Sequence, residues 1–205
     1  MKPSCLVLLA WLAATPSLAQ APAQGMLLVA TPEMRDPRFA QTVILLLHYE
    51  SEGALGVAIN RPTWVTPSAA FPQMDFLEDY RGNVYVGGPM ARASVLVLVR
   101  DPEIDIPETE PVFDDVYLST DPEFVRSVFA TAGDDRRLRL YAGHARWSAG
   151  QLDGELSAGH WQVVPATADV VFARDPLEVW ERLRTRGSEM SVSVPSAESG
   201  VAALP

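Results

Sequence analysis

Chemistry in this chain could come from three histidines, an arginine stopped by a proline, and a polar stretch leading into a tryptophan-rich region. Asn60-Arg61-Pro62 closes an apolar stretch. There, a guanidinium fork beside an amide can hold a small anion. In the competing reading Asn60 caps a turn and Arg61 pairs with a nearby acid. His48 ends a run of β-branched and leucine residues, placed as a general base or as a hydrogen-bonded structural histidine. Gly87-Gly88-Pro89 can bring backbone N–H groups close to a ligand, or simply make a tight turn that only glycine tolerates.

The richest stretch holds His144, Arg146, Trp147, Ser148, Gln151, Asp153 and Glu155. A helix starting near Ser148 would set Gln151 and Glu155 on one face at a spacing of four. Ser148 would then be its N-cap and Gln151 the third residue of a capping box. A nucleophilic serine would need glycine where Arg146 stands to complete G-x-S-x-G. A metal would draw on His144, His160, Asp153 or Glu155, but no pair has the H-E-x-x-H spacing. Neither a P-loop nor a dinucleotide fingerprint occurs, so no metal and no cofactor is expected. Trp147 and Trp161 are assigned to the core.

These residues need a scaffold. Residues 26–30 read as a first strand, and 41–49 and 54–60 as an antiparallel hairpin turning at Ser51-Glu52-Gly53. One short helix is expected within 71–80. Strands follow at 83–87 and 94–99, an exposed acidic loop at 101–111 and a short strand at 116–118. Asp121-Pro122-Glu123 opens a helix with a capping aspartate, a proline at the first position and acid at the positive end. Gly133-Asp134-Asp135 turns out of it. An alternating strand is expected at 137–142, a helix at 149–158, strands at 161–164 and 170–172, and a last helix from Asp175-Pro176 to about Arg186. Strands first, then strands mixed with helices, indicate an α+β fold.

The chain has 205 residues, 48% of them hydrophobic, which suits one domain with a substantial core. Lys2 precedes the apolar run 5–14, and small residues follow it. That order describes a secretory signal peptide over residues 1–19, cut after Ala19 with Ala21 and Ala23 as alternatives. The run is about half of the ~20 residues a membrane span needs. Residues 20–25 would be a leader, 26–186 the domain and 187–205 a disordered tail. Cleavage would remove the single cysteine and the only lysine, leaving 26 acids against arginine alone. Such a chain is repelled by nucleic-acid phosphates and gains nothing from an anionic membrane surface.

Three motifs in order resemble the YqgE/AlgH family. The first is Leu27-Leu28-Val29-Ala30 with Pro32, Met34, Asp36-Pro37, Phe39 and Thr42-Val43. It continues through His48 and Gly53-Ala54-Leu55-Gly56 to Ile59-Asn60-Arg61-Pro62. The second is Val86-Gly87-Gly88-Pro89. The third runs from Gly143-His144-Ala145-Arg146-Trp147-Ser148 through Gln151-Leu152-Asp153-Gly154-Glu155-Leu156, followed by Trp161. The resemblance spans residues 25–183. It implies a compact α+β fold around a curved, partly barrel-like sheet, mixed or antiparallel, with a few flanking helices. It also implies a regulatory role suggested for some members. The chain departs from the family pattern at His144 and Arg146, where tyrosine and glycine are usual, and at Ala91-Arg92-Ala93 after the proline. An exported chain does not inherit a cytoplasmic role.

Together these readings give a non-enzymatic binding or regulatory module outside the cytoplasm. Its ligand would be a small anion or an envelope protein, not nucleic acid. The surface would be drawn from Asn60, Arg61, His48, Gly87, Gly88, His144 and Gln151. The alternative is a hydrolase-like enzyme using His48, His144 or Glu155.

Overall fold

The computed structural model describes residues 20–78, 80, 82–101, 109–132 and 138–192. The expected signal peptide, the turn at 133–135, most of the acidic loop and the last thirteen residues lie outside the described residues. The elements are β1 (Met26–Ala30), β2 (Val43–Glu50), β3 (Gly53–Ala58), α1 (Pro67–Ala70), β4 (Val84–Val86), β5 (Met90–Arg100), β6 (Glu110–Phe113) and β7 (Val116–Ser119). They continue with α2 (Pro122–Ala132), β8 (Leu138–Ser148), α3 (Gln151–Ser157), β9 (Trp161–Pro165), α4 (Ala168–Val171) and α5 (Val179–Val192). Single 3-10 turns precede β4 and α5.

One sheet runs β6-β7-β5-β8-β3-β2-β1-β9, with β4 added on β8. Every pairing is antiparallel except β4 with β8. The sheet curls into a half-barrel, so its β6 end comes back over β1 and β2. There Gln24 donates to the Pro111 carbonyl at 2.6 Å, and His48 Nδ1 lies 3.3 Å from Glu110 Oε1.

Side-chain parity explains why so many consecutive residues are apolar. Leu27, Val29, Val43, Leu45 and Leu47 face the inside of the curl, where α4 and α5 plug it through Val171, Phe172, Val179 and Leu183. Leu28, Ala30, Ile44 and Leu46 face outward beneath α3. Val97, Val99, Leu138 and Leu140 form a second outer layer under Phe124, Val125 and Val128 of α2. Strands covered on both faces lose the alternation of a half-buried strand and read as continuous apolar runs. The inner core also holds Arg139, which donates to the carbonyls of Ile59 and Ala173 and lies 4.6 Å over the Tyr85 ring. Beside it the buried Tyr141 hydroxyl has no partner among the described groups. Burial pushes that phenol's pKa up.

Several boundaries differ from the sequence reading, each for a physical reason. Residues 170–172 belong to the helical turn of α4 and its cap. Ala168, Val171 and Phe172 share a helix face against the inner core, and three residues are too few for a strand period to assert itself. The acidic loop ends in β6, an edge strand that tolerates Pro111 because its outer edge needs no donor. The short helix expected within 71–80 is a 3-10 turn, and α1 precedes it, capped by Thr66. The last helix runs six residues beyond Arg186, through Gly187. One helical glycine costs only about 1 kcal/mol. Asp121 caps α2 as expected, accepting from the Glu123 amide at 2.9 Å.

The largest difference is β8. The alternating strand is expected to end at residue 142. Instead Gly143 takes φ +74°, a left-handed conformation open to glycine, and the strand continues to Ser148 with its faces exchanged. Leu138 and Leu140 point outward before the break, and Ala145 and Trp147 after it.

Candidate functional site

The chain crosses β8 at that break. β4 lies on one edge of β8 and Met90 of β5 pairs with His144 on the other. Gly87-Gly88-Pro89 is the step between them. A Cβ on Gly87 would sit 2.2 Å from the Gly143 carbonyl oxygen, and one on Gly88 2.1 Å from the His144 carbonyl carbon. The Gly87 amide donates to the Ala142 carbonyl. The glycines therefore serve close backbone packing. Their product is the position of Pro89 and Met90 beside the C-terminal half of β8.

A cleft of about 330 Å³ opens there. One wall is the loop between β1 and β2, with Met34, Arg35, Asp36, Arg38 and Phe39. The others are Pro89 and Met90, Arg146 and Trp147 of β8, Gln151 and Glu155 of α3, and His160. Thr31 ties the loop to the turn before β9, donating its hydroxyl to the Gly159 carbonyl and its amide to the His160 carbonyl. The loop's other end is held by two residues expected to bind ligand. Asn60, 6% exposed, accepts from the Val43 amide and donates to the Gln41 carbonyl, both at 2.9 Å. Arg61 donates to the Ala40 carbonyl and to Thr42 Oγ1. The nearby acid expected for Arg61 is absent among the described residues, and burial holds its pKa below the ordinary value. Both residues position the wall and neither lines the cleft.

At the base of the cleft Glu155 organises the aromatic residues. Its Oε2 accepts from the indole N–H groups of Trp147 at 3.0 Å and Trp161 at 2.8 Å. Its Oε1 accepts from Gln151 Nε2 at 3.1 Å, and Gln151 Oε1 in turn accepts from the Ser148 amide at 3.2 Å. That last bond is half of the expected capping box. The other half is missing, because α3 starts at Gln151 with Gly150 as its cap. Phe39 lies nearly parallel to Trp147, 6.4 Å between centroids, and edge-on to Trp161 at 5.8 Å. The spacing of four between Gln151 and Glu155 thus does what the sequence reading expected of it, but for a fixed acceptor cluster.

The electrostatics of the cleft differ from those of the whole chain. Three guanidinium groups face two carboxylates, on a protein of net charge −10. Asp36 is already bound to Arg38, at 2.7 to 3.1 Å through both carboxylate oxygens. The Arg38 fork lowers the pKa of Asp36. Arg35 and Arg146 have no hydrogen bond or ion pair among the described residues and are exposed. His144 stays outside the lining. Burial, then the charge of Arg146, lowers its pKa. His48 is engaged with Glu110 away from the cleft.

The seven residues proposed from the sequence therefore divide. Gln151 lines the cleft. Asn60, Arg61, Gly87 and Gly88 shape it from behind, His144 flanks it, and His48 stands apart. Arg35, Arg38 and Met90, absent from the sequence-derived candidates, also line the cleft, as does His160, considered there only as a metal ligand. Composition gives no sign of which arginines are left without an acid. Among the described residues no three His, Cys, Asp or Glu side chains gather to hold a metal, and no helix is long and apolar enough to cross a membrane.

The AlgH-like family model matches residues 27–190. A UPF0301 protein of Magnetococcus marinus is 32% identical over 173 residues, covering 83% of this chain and 92% of that protein. One from Streptomyces coelicolor is 35% identical over 176 residues, covering 79% and 85%. The solution structure of the AlgH protein from Pseudomonas aeruginosa superposes with a TM-score of 0.67 at 27% identity, over 98% of this chain and all of that one. A crystal structure from Corynebacterium diphtheriae gives 0.67 at 29% identity, over 82% and 88%. The curled, largely antiparallel sheet with flanking helices is the architecture these chains share, and this chain belongs to the AlgH-like (DUF179, UPF0301) family.

Proposed function

We propose that this chain is a non-enzymatic binding or regulatory module whose cleft takes a small anionic ligand. The observation that carries the reading is the pair Arg35 and Arg146. They are two exposed guanidinium groups on different walls of one cleft, neither matched by a carboxylate. An unpaired fork in a concave, partly apolar site is arranged to receive an anion. Acid–base chemistry has less support, because Glu155 has both oxygens engaged by N–H donors. Isothermal calorimetry against a panel of anionic metabolites tests the reading. At least one should bind, and the pair Arg35→Ala and Arg146→Ala should abolish that binding. Binding that survives both substitutions, or no binding from any anion, refutes it.

The place of action proposed is outside the cytoplasm. The support is the basic start, short apolar run and small residues of positions 1–19. Intact-mass measurement of protein recovered from cell fractions checks it. A periplasmic or secreted form should begin at residue 20, 22 or 24. A cytosolic form that retains the first nineteen residues would rule it out.

A further inference from the structure

We infer, resting on that anion-binding reading, that the ligand is a singly charged carboxylate on a flat apolar body, and not a phosphate ester. Charge comes first. With Asp36 already holding Arg38 in a two-pronged pair, the groups left to meet a ligand are Arg35 and Arg146, with the Glu155 carboxylate close by. That leaves an excess of about one positive charge. A monoanion is balanced by it, and a dianion leaves negative charge facing Glu155 in a partly desolvated site. Backbone geometry agrees. Phosphate sites commonly draw on a helix N-terminus with free amides, and the helix at this cleft carries Asp153 in its first turn. That carboxylate is occupied by the Tyr49 hydroxyl at 2.6 Å. It adds negative charge where a phosphate would need positive.

The apolar part of the ligand follows from the remaining lining. Met34, Phe39, Pro89 and Met90 supply hydrophobic surface in the cleft that Arg35 and Arg146 line. Met90 is 51% exposed although it lies in a strand, so its thioether is free to cover a ring. Phe39 stacks within 24° of parallel on the buried Trp147, so a planar group would be laid against Phe39. The volume is at the low end of ligand sites, enough for one or two rings.

Calorimetric titration of the protein, expressed from its full-length gene, with 1-naphthoate, 1-naphthyl phosphate, acetate and inorganic phosphate separates the possibilities. Naphthoate should bind at least tenfold more tightly than naphthyl phosphate and than acetate. Arg146→Met, which keeps the apolar stem, should weaken naphthoate at least tenfold while the melting temperature holds. Naphthyl phosphate binding as tightly as naphthoate, or better, overturns the carboxylate assignment and leaves anion binding standing. Acetate matching naphthoate overturns the apolar body. Failure of all four probes, when another anion binds at Arg35 and Arg146, overturns this inference alone. Failure of every anion removes both.

Discussion

Glu155 shows how one side chain can satisfy several others. Its carboxylate is the acceptor for two indole donors whose rings are almost wholly buried. A buried donor left without a partner costs about 1–3 kcal/mol. Glu155→Ala is therefore expected to lower stability by roughly 2–4 kcal/mol, read from urea denaturation. Glu155→Gln keeps an acceptor oxygen and should lose about 1 kcal/mol. An unchanged midpoint in the alanine variant would mean the indoles find other partners. His144 carries a pH dependence. Its folded pKa lies below the ordinary 6.5, because of burial and then Arg146. As pH falls through 6.5 the unfolded chain takes the proton first, so stability declines until the folded pKa is reached and is fully present above 6.5. Melting temperatures between pH 7 and 5 should fall less steeply in His144→Gln than in the parent. Identical slopes would assign the pH dependence elsewhere.

Among the elements, the crossing over β8 is the least forgiving. Gly88→Ala would place a Cβ 2.1 Å from the backbone of His144. Neither strand can retreat without breaking pairs on both edges of β8. The expected loss is roughly 3–5 kcal/mol, or no folded protein. The control is Gly154 in α3, where an added Cβ meets nothing within 4 Å. There Gly154→Ala should raise stability by about 0.5–1 kcal/mol through helix propensity alone. Equal tolerance at both positions in thermal melts would contradict the crossing as described. The same element explains why β8 is longer than its pattern suggested. Ala145 and Trp147 alternate with Arg146 and Ser148 as regularly as the residues before Gly143, and one left-handed glycine only exchanges the faces.

At the scale of the molecule, charge and shape point to different partners. The net charge of −10 opposes phosphate backbones, whose binding depends on cationic neutralisation. The cleft is a local exception on that surface. Duplex DNA should not bind at about 0.15 M salt, and fluorescence anisotropy of labelled DNA measures it. Saturable binding at that salt would overturn the exclusion.

Much of the scaffold is legible in the chain itself. The apolar runs at β1 and β2, the hairpin into β3 and the aspartate–proline start of α2 follow from local rules of burial, turn chemistry and capping. These depend on near neighbours alone. The curl that carries Glu110 to His48, the step of two glycines over Gly143, and the choice of which arginines go without an acid depend on groups many residues apart. Asn60 and Arg61 show the difference. Their types announce a binding pair, yet the fold hands them the carbonyls of the β1–β2 loop. Sequence decided which groups could hold an anion, and only tertiary structure decided which of them remain unpaired, because pairing is settled by distance in space.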